Sequence, residues 1–207
     1  MNVVEKVNFI LRTLNTLFPN PMVPLKHSDS FTLLISVILS AQCTDVMVNR
    51  VTKDLFKLAS IPEAFADMKF DELAKIIRPC GLVNHKTNAI LKTAQILVSK
   101  FDGRVPETFE ELEMLPGVGH KTASVVMAQA FNKPAFPVDT HIARLSVRWG
   151  LSTSKNVRKI EENLKQLFPQ STWHDTHIQM IEYGRKYCPA RNHDTNKCII
   201  CAKLSNK

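Results

Sequence analysis

Apolar residues recur at helical spacing along almost the whole chain, and long alternating runs of β-branched residues are missing. Positions three and four apart share one face of a helix, whereas a strand changes face at every residue. An almost entirely α-helical protein is therefore expected. Val4, Val7, Leu11, Leu14 and Phe18 set the pattern in a first helix, with Glu5, Lys6 and Arg12 between them, and Pro19-Asn20-Pro21 ends it. Periodicity, caps and breakers predict further helices over residues 29–41, 44–58, 61–68, 71–77, 85–101, 108–114, 121–131, 140–149, 156–167 and 173–187. No solenoid repeat or low-complexity segment interrupts the series.

Several classes of protein are disfavoured by composition. The most apolar stretch, Phe31 to Ala41, falls well short of the roughly 20 residues of a membrane span and is expected to be a buried core helix. The N-terminus lacks the organisation of a signal peptide. Cys43 and Cys80 are isolated, while Cys188, Cys198 and Cys201 crowd towards the end of the chain. That distribution suits intracellular thiols or a metal site better than a disulfide framework, and a cytoplasmic location is expected. With 207 residues, 44% of them hydrophobic, the chain is able to bury one large core or two small ones. Its net charge of +8 and pI near 9.3 favour a polyanionic partner, although a solvated basic surface gives the same numbers.

The partner is better argued from Leu115-Pro116-Gly117-Val118-Gly119-His120-Lys121-Thr122-Ala123. Two glycines one residue apart permit a tight turn, and the helix that follows aims unsatisfied N–H groups and its positive dipole end outward. A phosphate fits there, and backbone donors hold it without reading base sequence. A bare Gly-x-Gly is more often a packing connection between helices, so the flanking residues decide. Lys121 precedes the apolar stripe Ala123, Val126, Met127 and Ala130. Two residues turn a helix by roughly 200°, so the lysine points away from that stripe. A cation at a helix N-terminus is disfavoured, and partial burial would act in the same direction, towards a neutral and nucleophilic amine. Asp139, in Pro137-Val138-Asp139-Thr140-His141, reads as an N-cap that also offers a carboxylate for acid–base work or for stabilising positive charge on a sugar ring.

The segment Leu115 to Ala123 together with Val138-Asp139-Thr140-His141 resembles the helix-hairpin-helix and Gly-Pro-Asp region of the DNA glycosylase superfamily, specifically the endonuclease III family. Similarity extends through Ser40-Ala41-Gln42-Cys43-Thr44-Asp45, through Gly81-Leu82-Val83-Asn84-His85-Lys86 and on to Tyr183-Gly184-Arg185, nearly the whole chain. The resemblance implies that Lys121 is a nucleophile and Asp139 a catalytic aspartate. It implies that Gln42 fills the space left by an extruded base, that Leu82 wedges into the stack, and that Gly117, Val118 and Gly119 form the phosphate-gripping hairpin. The commoner fates are a leucine folded back on the core and a glutamine satisfied by backbone.

On this resemblance the chain is expected to remove oxidised pyrimidines from double-stranded DNA, flipping out the damaged base, and to cleave abasic sites on their 3′ side by β-elimination. Two helical lobes are expected with DNA in the cleft between them, in a monomer. One spans residues 22–133, a six-helix barrel with the hairpin; the other combines residues 1–21 with 134–207. A monofunctional glycosylase of the same superfamily and a non-catalytic DNA-binding module are the rival readings; Lys121 argues against the first, and Lys121 with Asp139 against the second.

The resemblance also implies a 4Fe-4S cluster on four cysteines spaced C-x6-C-x2-C-x5-C. Here nine residues separate Cys188 from Cys198 and two separate Cys198 from Cys201, and Lys207 occupies the fourth position. A four-iron cluster ordinarily takes four thiolates. Completion by His193 or another group, binding of zinc, a vestigial site, a further cysteine beyond the present end and three ordinary thiols all remain open.

Overall fold

Helix α2 (Ser30–Ser40) buries every residue from Phe31 to Leu39. A helix apolar on all sides belongs at the centre of a domain. Its start is fixed by Asp29, whose carboxylate accepts the Thr32 N–H at 2.8 Å while the Thr32 hydroxyl accepts the Asp29 N–H at 3.1 Å. A computed structural model describes residues 1–205, and among them every regular element is helical, in keeping with the expected all-α class. The position of Lys207, where the cysteine pattern lacks its fourth member, lies outside the described residues.

The described chain divides into two units, one formed by Val23–Lys133 and the other by Met1–Met22 with the chain from Pro134 onward. In the first, α3 (Asp45–Leu58), α6 (Val83–Phe101) and α8 (His120–Ala130) pack on α2. Helices α4 (Pro62–Ala66) and α5 (Phe70–Ile77) pack on α6, and α7 (Phe109–Glu113) packs on α8. An edge-to-face contact between Phe31 and Phe65, with centroids 5.3 Å apart, helps to close this core.

In the second unit, α1 (Val3–Leu17) turns Val7, Ile10 and Leu14 inward and packs on α11 (Trp173–Lys186). Helix α9 (Thr140–Arg148) packs on α11 and on α10 (Val157–Leu167), and α12 (Ile199–Ser205) packs on α1. Gly184 sits where α9 crosses α11: a Cβ there would lie 3.2 Å from the Cβ of His141. Trp149, Tyr183, Phe136 and Ile200 are in the shared core, together with Cys188, Cys198 and Cys201.

Two elements differ from the sequence expectation. Helix α6 starts at Val83, two residues earlier than predicted, because the chain enters it through Leu82 in the left-handed conformation. Helix α12 was not expected; it lacks the proline or capping threonine that opens the shorter α4 and α7, and two of the cysteines flank its start. Among the described residues no helix is long and apolar enough to cross a membrane.

Candidate nucleic-acid interface and metal centre

The hairpin joining α7 to α8 is braced from several sides. The Val118 N–H donates to the Leu115 carbonyl at 3.0 Å, and the Thr93 hydroxyl of α6 donates to the Pro116 carbonyl at 3.0 Å. His120 pairs with Glu113 at 2.7 Å and stacks on Phe109. The Val118 side chain is buried. Its two neighbours play different parts. Gly117 has φ +80°, and a Cβ there would lie 2.9 Å from the Cβ of Ala89, so both backbone and packing demand glycine. Gly119 has φ −91°, and an added Cβ would meet no atom of the protein within 4 Å. Neither strain nor internal crowding accounts for glycine there; what it leaves clear is space in front of α8. No side chain caps that helix, and a helix N-terminus of this kind suits an anionic acceptor.

Lys121 is the second residue of α8 and is exposed, while Ala123, Val126 and Met127 turn into the core. The lysine thus points away from the apolar stripe, as expected.

Gln42 and Leu82 share an unusual backbone. Both are exposed non-glycine residues in left-handed conformation, with φ of 53° and 47°. For a residue with a Cβ this costs about 1–2 kcal/mol. The Leu82 side chain is 47% exposed rather than folded onto the core, and Gln42 stands beyond the last turn of α2. Lys86 stitches the two loops together. Only 4% exposed, its ammonium donates to the Leu39 carbonyl at 2.8 Å, near the end of α2, and to the Cys80 carbonyl at 2.7 Å, in the turn before Leu82. Burial holds its pKa below the ordinary lysine value. This role is not legible from the residue pattern, because a lysine one turn into a helix reads as a solvated charge.

Asp139 caps α9, its carboxylate accepting the Ile142 N–H at 2.8 Å, and is half-buried. His141, two residues on, has Nδ1 3.2 Å from an Arg144 guanidinium nitrogen. The same guanidinium nitrogen donates to the Gly184 and Cys188 carbonyls at 3.0 Å each. Burial lowers the His141 pKa and outweighs the opposing pull of Asp139.

In the same unit Cys188, His193, Cys198 and Cys201 bring one ligand atom each within 4.8 Å of one another, a group able to hold a metal ion. Cys188 Sγ lies 3.3 Å from His193 Nε2 and 3.8 Å from Cys201 Sγ. Two donors support the sulfurs. Arg148 reaches Cys188 Sγ at 3.2 Å and the Pro189 carbonyl at 2.7 Å. The Tyr183 hydroxyl lies 3.2 Å from Cys198 Sγ and accepts the Ile200 N–H at 3.0 Å, which leaves its own proton for the sulfur. The three cysteines singled out in the sequence therefore meet. Of the groups left open as a fourth member, His193 joins them; Arg148 and Tyr183 carried no sequence signal for their part.

Comparison with known proteins gives a consistent picture. Residues 35–170 match the HhH-GPD superfamily of base excision DNA repair proteins. The chain is 42% identical to endonuclease III of Haemophilus influenzae, over 97% of this chain and 94% of that one. It is 39% identical to endonuclease III of Bacillus subtilis, over 98% and 91%. Among solved structures, a non-covalent endonuclease III–DNA complex superimposes with a TM-score of 0.93 at 38% identity, covering 99% of this chain and 95% of that one. A trapped endonuclease III–DNA covalent intermediate gives 0.92 at 38% identity, covering 99% and 96%.

Proposed function

Because the chain belongs to the HhH-GPD superfamily of base excision DNA repair proteins, we propose that it is a DNA glycosylase with abasic-site lyase activity, directed at oxidised pyrimidines in duplex DNA. The observation that carries this reading is the hairpin: an uncapped helix N-terminus with open space at Gly119 and a lysine in its first turn. A phosphate bound by those N–H groups would set the register of the duplex so that Lys121 meets a deoxyribose.

A stacked base is out of reach of a protein amine, so the nucleotide is first everted. Leu82 enters the stack and Gln42 occupies the gap, which explains why the chain carries backbone strain at both positions to hold them outward. The amine of Lys121, once deprotonated, then attacks C1′. The bond from C1′ to the base breaks and its electron pair leaves with the base, assisted by the Asp139 carboxylate, which stabilises the positive charge developing on the sugar. Loss of a proton from the amine and opening of the ring give an iminium at C1′. Removal of a C2′ proton places electrons between C2′ and C3′ and expels the 3′ phosphate, cutting the strand on that side. Water later hydrolyses the iminium and frees Lys121. A non-catalytic DNA-binding module has no need of a lysine and an aspartate in these places, and a monofunctional enzyme has no need of the amine.

A duplex carrying thymine glycol tests this. The wild-type chain is expected to release the base and cut 3′ to the lesion, leaving an unsaturated aldehyde terminus. Asp139→Asn keeps an N-cap of equal quality, so it should fold as stably while cleavage falls roughly 100-fold or more. Base release with no strand cut would establish the monofunctional alternative, and binding with neither would establish the non-catalytic one.

A further inference from the structure

The four-iron cluster that the family resemblance implies does not fit the ligands of this chain. In such a cluster each cysteine sulfur bonds a different corner iron of a cube, which holds the sulfurs roughly 6 Å apart. Here all four ligand atoms lie within 4.8 Å of one another, and two of the sulfurs are 3.8 Å apart. A single tetrahedral ion with metal–sulfur bonds of about 2.3 Å sets its sulfurs about 3.8 Å apart and brings an imidazole nitrogen slightly nearer. The observed 3.3 Å between Cys188 Sγ and His193 Nε2 follows the same geometry.

We infer that Cys188, His193, Cys198 and Cys201 bind one zinc ion, in place of an iron–sulfur cluster. Three thiolates and an imidazole are a donor set that favours zinc over harder cations. Zinc with three thiolates and a neutral histidine carries a net charge of −1, and the guanidinium of Arg148 sits against Cys188 to offset it. The Tyr183 hydroxyl donates to Cys198 from the core side, and the Ile200 N–H fixes its orientation. Such outer contacts hold the ligands in place. The ion would join the end of α11 to the start of α12 across the segment that carries His193, where three of its four ligands are already part of the core. This inference is independent of the lyase reading, since it concerns metal content alone.

The test uses the full chain, purified from cells supplied with both iron and zinc, with metals and acid-labile sulfide measured per chain. About one zinc and neither iron nor sulfide is expected. Cobalt(II) exchanged into the site should give the visible bands of a tetrahedral ion and a thiolate charge-transfer band. His193→Ala should weaken zinc binding by more than about tenfold. Should that variant fold poorly, His193→Cys should retain the metal and shift the cobalt bands to longer wavelength as sulfur replaces nitrogen. Four irons with matching sulfide and absorbance near ~400 nm after anaerobic reconstitution would overturn the inference. So would cobalt bands left unmoved by His193→Cys, or a chain whose melting temperature does not respond to zinc.

Discussion

Lys86 Nζ lies 2.8 Å from the carbonyl oxygen of Leu39, and this bond joins the loop that displays Gln42 to the loop that displays Leu82. The same ammonium holds the Cys80 carbonyl at 2.7 Å. Removing the amine would leave two buried acceptors without a partner. Lys86→Met should therefore cost about 2–4 kcal/mol in urea unfolding. Lesion cleavage should fall further than the loss of folded protein explains, because the loops that display Gln42 and Leu82 lose their common anchor.

Leu82 presents the opposite balance. Its left-handed backbone is strained and its side chain is exposed, so glycine suits the fold better than leucine does. Leu82→Gly should raise stability by up to about 1 kcal/mol while lowering cleavage of lesion-bearing duplex. A thermal melt alongside a cleavage assay separates the two effects; a variant both more stable and fully active would remove Leu82 from the interface.

The two hairpin glycines should part company. Gly117→Ala forces a side chain into left-handed backbone and against Ala89, and should destabilise the fold by about 1–3 kcal/mol. Gly119→Ala meets open space and should cost only about 0.5–1 kcal/mol, the penalty of alanine at an N-cap. Its effect should appear in DNA affinity, measured by fluorescence anisotropy at fixed salt, since the methyl group would occupy the approach of a phosphate.

Asp29 gives the fold an acid dependence. Desolvation raises its pKa, but hydrogen bonds from Thr32, Ser28 and Phe31 outweigh that, and the net shift is downward from 3.8. A depressed carboxylate pKa means that the stabilisation is fully present above the ordinary value and is lost as pH falls through the lower, folded value. At neutral pH, Asp29→Ala should be less stable than wild type by about 1 kcal/mol. Melting curves taken down through pH 3.8 and below should show that difference shrinking.

How far the sequence disclosed this molecule depends on the kind of signal. Helical spacing and Pro/Gly punctuation were enough for the class and for most elements, because burial on one face repeats over several turns. The short α12 and the left-handed entry at Leu82 were not legible: the first lacks the proline or capping threonine that marks the shorter α4 and α7, and the second is a backbone state that leucine does not advertise. The hairpin could be read from Gly117 and Gly119, but not the different reasons for each, which depend on Ala89 and on empty space. Lys86 was hidden because its partners are main-chain carbonyls distant in sequence. The three cysteines of the metal group were visible as a cluster, and His193 as one of several fourth partners; only its position beside Cys188 singles it out.

The reaction proposed for this chain rests on a covalent bond between Lys121 and the sugar, and reduction by borohydride traps that bond directly. Wild-type protein incubated with an abasic-site duplex and borohydride is expected to form a stable protein–DNA adduct, with peptide mapping placing the link at Lys121, while Lys121→Gln forms none and leaves the strand uncut. Wild-type protein that yields no adduct, together with a Lys121→Gln variant that still cleaves, would contradict the account.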